Sequence, residues 1–266
     1  MSATLLEHAA AAIRSGQSVC LVTVVETSGS TPRKAGAKML VFADGRTEGT
    51  IGGGLVERVM VAQAAEVLAA GTPRLVTHTL QGESAESSEM ICGGEMRIYL
   101  EPYGRGRHLY IFGGGHCGLA LAPVAARVGF AVHVLDDRPE VVTRERFPMA
   151  ASLTHGTYAD IAGRIKLRPD AYLVIMTESH RGDAAVLANV ITREYVYLGM
   201  MASTRKRTQT FTALQAQGIS EELLARVHSP IGLPIDSETP EEIAVSITAE
   251  LIQVARAHEH ECASSA

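Results

Sequence analysis

Apolar and polar positions alternate along this chain in two different rhythms. The opening "MSATLLEHAAAAIRSG" reads as an amphipathic helix. "SVCLVTVVE" (18–26), β-branched and flanked by Gly16 and "TSGSTP", predicts a strand, and "AKMLVF" (37–42), turned by Asp44-Gly45, predicts a second. After "IGGG", Val56, Val59, Met60 and Val67 recur at helical spacing within Leu55–Ala70. "RLVTHTL" (74–80) and "EMRIYLEP" (95–102) predict two more strands, with the polar, then glycine-rich "QGESAESSEMICGG" as the loop between them.

"YGRGR" (103–107) reads as a linker, and beyond it strands alternate with helices. The strands are "HLYIFG", "AVHVLDD", "AASLTHG", "AYLVIM" and "YVYLGM"; helices start near His116, Arg181, Ser203 and Ser220. The last helix opens on a capping box, Thr239-Pro240-Glu241-Glu242, and carries the stripe Ile243, Ile247, Leu251, Val254. The tail "HEHECASSA" shows no periodicity and is expected to fray, in preference to a metal site built from His258, His260 and Cys262. The pattern predicts an α/β protein, a C-terminal Rossmann-like doubly wound parallel sheet (107–266) preceded by a smaller α+β domain (1–104).

Composition narrows the function classes. With 24 basic and 29 acidic residues the net charge is −5, and neither half is basic, which argues against nucleic acid as a partner. No apolar run reaches the roughly 20 residues of a membrane span, and the start lacks the basic region of a signal peptide. Cys20, Cys92, Cys117 and Cys262 form no CxxC pair, so the expected compartment is a reducing cytoplasm.

The strongest chemical signal is Gly113-x-Gly115-x-x-Gly118, after a strand and opening a helix. Gly113 permits the turn, Gly115 lets backbone approach a pyrophosphate, and Gly118 lets helix and strand pack. Asp136 ends the next strand, where a carboxylate accepts ribose hydroxyls. This fits an NAD(P)-binding domain, and equally a Rossmann-like domain that binds no nicotinamide. His116 faces a ligand phosphate or a metal, or caps the helix; Cys117, beside it, reads as packing more readily than as a nucleophile. In "GMMASTRKR", Ser203 caps a helix near the carboxyl ends of the strands. Arg205, Lys206 and Arg207 follow, either for an anionic partner or as a solvated basic face. His180 is expected to end the fourth strand and to point toward the same crevice. In the first domain three small-residue loops expose backbone N–H groups: Ser30, Thr31 and Arg33; Gly52, Gly53 and Gly54; Cys92, Gly93 and Gly94. Arg33 suits a phosphate and Cys92 offers a soft sulfur to a metal such as molybdenum, although glycine turns joining strands look similar. No catalytic acid/base pair is evident.

Taken together, "SGSTPRKAGAKMLV", "GTIGGGLVE", "MICGGEMRIYL", "YIFGGGHCG", "LDDRPE", "ERFP" and "SPIGLPIDSETPEEIAVSI" resemble the XdhC/CoxI family over about residues 18–257. The resemblance implies a cytoplasmic, homodimeric accessory protein of xanthine dehydrogenase-type molybdenum hydroxylases. Such a protein is a carrier rather than a turnover enzyme. It holds the molybdenum cofactor while a cysteine desulfurase partner adds the sulfido ligand, then delivers it to the hydroxylase. The three first-domain loops, the Gly113–Gly118 turn, His116, Asp136, His180, Ser203 and Arg205 are the implied cofactor-binding residues, and Cys92 the metal contact. Two departures are visible. Similar proteins carry Gly-Ala-Gly-His where this chain has Gly113-Gly114-Gly115-His116, and Thr-His-Asp-His where it has Thr177-Glu178-Ser179-His180. The turn and Asp136 would suit the cytosine dinucleotide form of molybdopterin as well as they suit NAD(P). An NAD(P)-dependent oxidoreductase is the alternative.

Overall fold

Alternation along single strands builds the first unit, Met1–Arg105. The structure, a computed structural model, describes residues 3–80, 94–104, 107–168 and 170–264. Helix α1 (Ala3–Arg14) leads into strands β1 (Val19–Ser28), β2 (Lys38–Phe42) and β3 (Thr47–Gly49). Helix α2 (Gly54–Ala70) and strands β4 (Arg74–Thr79) and β5 (Glu95–Tyr103) follow. They form an antiparallel sheet ordered β3-β2-β1-β5-β4. Successive residues of a strand face opposite ways, and β1 uses both faces. Cys20, Val22 and Val24 pack with Met60, Ala64 and Val67 of α2; Val19 and Leu21 pack with Leu5, Ala9 and Ala12 of α1. β3 was not legible as a strand because its three residues carry no apolar signal.

The second unit, Gly106–Ala266, is doubly wound. Its elements are β6 (His108–Phe112), α3 (His116–Arg127), β7 (Ala131–Asp136), β8 (Ser152–His155), α4 (Tyr158–Arg164) and β9 (Ala171–Ile175). After these come α5 (His180–Val190), β10 (Tyr197–Met200), α6 (Thr204–Gln215), α7 (Glu221–Ala225) and α8 (Pro240–Ser264). The sheet is parallel throughout, ordered β10-β9-β6-β7-β8. The central strands β6 and β9 are buried at every position, as expected of a parallel sheet covered on both faces. Leu109, Ile111 and Val174 meet Ala244, Ile247 and Leu251 of α8 on one side. Phe112, Leu173 and Ile175 meet Val186, Leu187 and Leu214 on the other. This is the α/β architecture anticipated above.

The tail departs from expectation. Instead of fraying it continues α8 to Ser264. Buried Arg107 holds the helix from below, its Nε donating to Glu259 Oε1 at 3.1 Å. His258 and Cys262 sit one turn apart with their side chains 3.8 Å apart. Once α8 is nucleated and packed, adding residues to it is cooperative. The capping box forms as read: Glu242 N donates to Thr239 Oγ1 and Glu242 Oε2 accepts from Thr239 N.

Buried Glu250 of α8 also gathers polar groups, accepting from the Tyr197 hydroxyl and from Gly232 N at 2.7 Å, and pairing with His228 Nδ1 at 2.8 Å. Ser246 Oγ adds a bond to Leu233 O at 2.7 Å, so the "SPIGLP" segment is carried by α8.

Across neighbouring strands of the sheet, His133 of β7 joins His108 of β6 through Nε2 at 2.9 Å and Ser152 Oγ of β8 through Nδ1 at 2.7 Å, and stacks on Tyr110. Burial first, then neighbouring His108 and Arg168, push the His133 imidazole down to about 4. Below the ordinary value near 6.5 the unfolded chain therefore takes up a proton that the folded chain refuses. Stability is expected to be unaffected by this group above about pH 6.5 and to fall between about 6.5 and 4, by up to about 3 kcal/mol. Urea denaturation across that window should show the slope starting well above the carboxylate range and flattened in His133→Gln. Equal slopes would contradict the assignment.

Candidate functional site

In an open parallel sheet ligands bind at the carboxyl ends of the strands, where the winding reverses. Here the chain runs from β6 outward to β7 and β8, then returns to β9 on the other side of β6, so the reversal lies between β6 and β9. The loops that follow these two strands touch. Gly113 has φ 118°, and a Cβ there would stand 2.2 Å from Met176 O, while a Cβ on Gly118 would stand 2.1 Å from Gly113 O. Both glycines are required by close backbone approach. Gly115 opens α3 as its N-cap, and no side chain caps that helix. Helices α4, α5, α6 and α7 begin instead on Thr157, Ser179, Ser203 and Ser220, whose hydroxyls accept a backbone N–H. Among these five helices the positive end of α3 is the one left open to an external anion.

Asp136 ends β7 as anticipated, but its oxygens are engaged. Oδ1 accepts from Arg138 N (3.0 Å) and Nε (2.9 Å); Oδ2 accepts from Gly114 N (2.7 Å) and Arg138 Nη2 (3.0 Å). The residue is fully buried. Burial alone would raise its carboxyl, yet Arg138 and the Gly114 N–H hold it below the usual carboxylate range. Arg138 Nη1 also reaches Glu178 Oε2 at 2.7 Å. A second arginine, Arg146, donates from Nη2 to Gly114 O at 3.2 Å. Neither arginine was singled out from sequence. The signal lay in "LDDRPE", where Arg138 follows the strand-ending acid by two residues and can fold back on it.

The loop after β9 is anchored by Asp183, fully buried in α5. Its Oδ1 accepts from Thr177 N at 3.0 Å and Thr177 Oγ1 at 2.6 Å, and its Oδ2 pairs with Lys206 Nζ at 2.6 Å. Lys206 therefore neutralises an internal acid, and Arg207 Nη1 donates to Ser229 O at 2.8 Å. Two of the three cations of "STRKR" thus have internal uses, leaving Arg205, exposed, with Ser203 as the cap. His116 and His180 are exposed first residues of α3 and α5. Cys117 is half-buried and packs against the core; burial and then Glu241 raise its thiol.

In the first unit the small-residue loops are packed on one another. Gly94 N donates to Ser30 O at 3.1 Å, and a Cβ on Gly94 would stand 2.2 Å from that oxygen and 2.6 Å from Thr31 Cγ2. A Cβ on Gly52 would stand 2.5 Å from the Pro32 ring. Glu57 Oε1 accepts from Thr50 Oγ1 (2.6 Å), Ile51 N (3.0 Å) and Gly53 N (2.8 Å), so part of this loop's N–H surface is used internally. Burial opposes ionisation of Glu57, but these bonds outweigh it and lower its pKa. Gly53 and Gly54, at φ 75° and 61°, have nothing within 4 Å of a would-be Cβ and face open space. Arg33 is exposed and lines a cleft of about 760 Å³ with His8, Lys38, Glu48 and Thr50. Cys92 and Gly93 lie outside the described residues. Among the described residues no three His, Cys, Asp or Glu side chains gather as a metal site.

Residues 109–251 match the family described as XdhC Rossmann domain, and residues 12–79 the XdhC and CoxI family. The chain is 36% identical over 235 residues to Escherichia coli K12 YqeB, an uncharacterized protein. That match covers 88% of this chain but only 43% of YqeB. It is 24% identical to the molybdenum cofactor insertion chaperone PaoD of the same organism, over 97% of this chain and 90% of PaoD. A crystal structure of a Bacillus halodurans xanthine dehydrogenase superposes with a TM-score of 0.54 at 25% identity. It covers 96% of this chain and 95% of that one.

The buried acid gives a direct test of this geometry. Asp136→Ala leaves the Arg138 fork and Gly114 N–H without their acceptor and is expected to destabilise the fold by about 3–5 kcal/mol in urea denaturation at pH 7. Because its folded pKa is depressed, the Asp136 contribution is present above about pH 4 and lost as pH falls through the folded value. A change under about 1 kcal/mol would mean that the four bonds are not maintained in solution.

Proposed function

This chain belongs to the XdhC and CoxI family, and from that premise we propose that it is an accessory protein carrying the molybdenum cofactor to a xanthine dehydrogenase-type hydroxylase. The observation that supports this best is the uncapped start of α3. Backbone N–H groups there meet a glycine turn with Arg138 beside it, an arrangement that suits phosphate. The resemblance to PaoD, whose name records cofactor insertion, points the same way.

The residues present fit the phosphate end of such a cargo. In the second unit Arg138 and the Gly113–Gly115 turn suit an anionic group; in the first unit, taken by itself, exposed Arg33 and the open glycines Gly53 and Gly54 offer a polar face. Ser30, Thr31, Gly52 and Gly94 would shape the loop that presents Arg33, and His116, His180, Ser203 and Arg205 would flank the crevice. Cys92 would offer sulfur to the metal end. A carrier of this kind would hold its cargo by reversible contacts while a cysteine desulfurase exchanges a ligand on it, then release it to the hydroxylase. The protein would act in the cytoplasm as a homodimer; among the described residues no helix is long and apolar enough to cross a membrane. The NAD(P) reading has weaker support, because the acid that would take a ribose is occupied by Arg138 and Gly114.

Anaerobic purification from a molybdenum-replete host, followed by mass spectrometry of the bound fraction, should recover molybdopterin or its cytosine dinucleotide. Tight NADH binding with no molybdopterin would overturn the proposal. Arg33→Ala should lower affinity by about 1.5–3 kcal/mol if it makes a charge-assisted bond to phosphate. Cys92→Ala should lose the sulfurated metal form while the melting temperature stays unchanged. Unaltered retention would remove either residue from the site.

A further inference from the structure

A carboxylate at the end of the second strand of a dinucleotide fold ordinarily accepts ribose hydroxyls. A carboxylate has about four acceptor positions, and Asp136 has all of them filled: three donors come from Arg138 and one from Gly114. A diol could bind only by expelling one of these partners from a fully buried site.

The same bonds immobilise the arginine. Nε and Nη2 are forked onto the buried acid, and Nη2 lies 3.9 Å from where a Cβ on Gly115 would stand, so the guanidinium sits beside the glycine turn. Nη1 extends to Glu178, on the loop after β9. That loop is itself pinned by Asp183 on Thr177 and by the Ser179 cap. The two carboxylates holding Arg138 differ in one decisive respect. Asp136 is wholly buried, whereas the Glu178 side chain is 74% exposed. Exposed ion pairs are weak and exchange readily with solvent ions, while a buried, forked pair does not.

We infer that Arg138 is the anion-contacting side chain of this crevice, that Asp136 is its positioning residue, and that Glu178 is an internal counter-ion displaced by an incoming phosphate or pyrophosphate group. The crevice then selects its ligand by phosphate and leaves the ribose diol unread. This deepens the proposed function and rests on it only for the identity of the phosphate-bearing ligand.

Titration calorimetry on the full chain with inorganic pyrophosphate tests it. Glu178→Gln, a surface change, removes the competing anion and is expected to tighten binding about 2–5-fold. Arg138→Lys keeps the charge, loses the fork and should weaken binding about 10-fold or more. Asp136→Asn, measured where it remains folded, should weaken binding although it touches no ligand; a merely structural acid would change only the melting temperature. Cytidine diphosphate and its 2′-deoxy form should bind within about twofold of each other, since an engaged hydroxyl would contribute more. Glu178→Gln at wild-type affinity or weaker, Arg138→Lys binding like wild type, or no pyrophosphate binding by wild type and Glu178→Gln alike would overturn the inference. None of these measurements uses molybdopterin, so a failure of the carrier reading leaves their outcome standing, and the reverse.

Discussion

One buried carboxylate organises the functional end of the second unit. Asp136 is expensive to ionise where it sits, and only donors supplied by its own neighbourhood make the charge tolerable. Meeting that requirement ties three segments together: the end of β7, the glycine turn after β6 through Gly114, and, by way of Arg138, the loop after β9. The crevice geometry follows from satisfying this acid, with Asp183 performing the corresponding task for Thr177 and Lys206.

The doubly wound sheet was legible because its signals are local. Continuous apolar runs such as "LYIF" and "YLVI" mark strands covered on both faces, and serine or threonine at the helix starts marks caps that formed. The glycines of the turn were legible for the same reason. Their spacing encodes close approach, although Gly113 turned out to admit Met176 O as well as a tight turn.

What sequence could not supply was occupancy. The position of Asp136 follows from the end of a strand, but that its lone pairs are filled depends on Arg138 folding back and Gly114 N pointing inward, which no periodicity records. Lys206 read either as a cation for an anionic partner or as part of a solvated basic face, and its partner Asp183 lies too far along the chain for local reasoning to pair them. In the first unit Gly52 and Gly94 looked like donors to a ligand, yet they are glycine because Pro32 and Ser30 leave no room for a side chain. The polar tail misled for the opposite reason. It lacks an apolar stripe, but it extends a helix already anchored at Ile247 and Leu251 and held by Arg107.

The loop beside the end of β10 bears on how the molecule is made. Gly232, Leu233 and His228 are fixed by Ser246 and Glu250, residues that leave the ribosome after them. Every strand of the second unit can therefore be synthesised before these contacts form, and until then the segment rests on β10 alone, where His228 N donates to Leu198 O and His228 O accepts from Met200 N. The stretch from Gly232 to Leu233 is the part that waits for α8 to emerge.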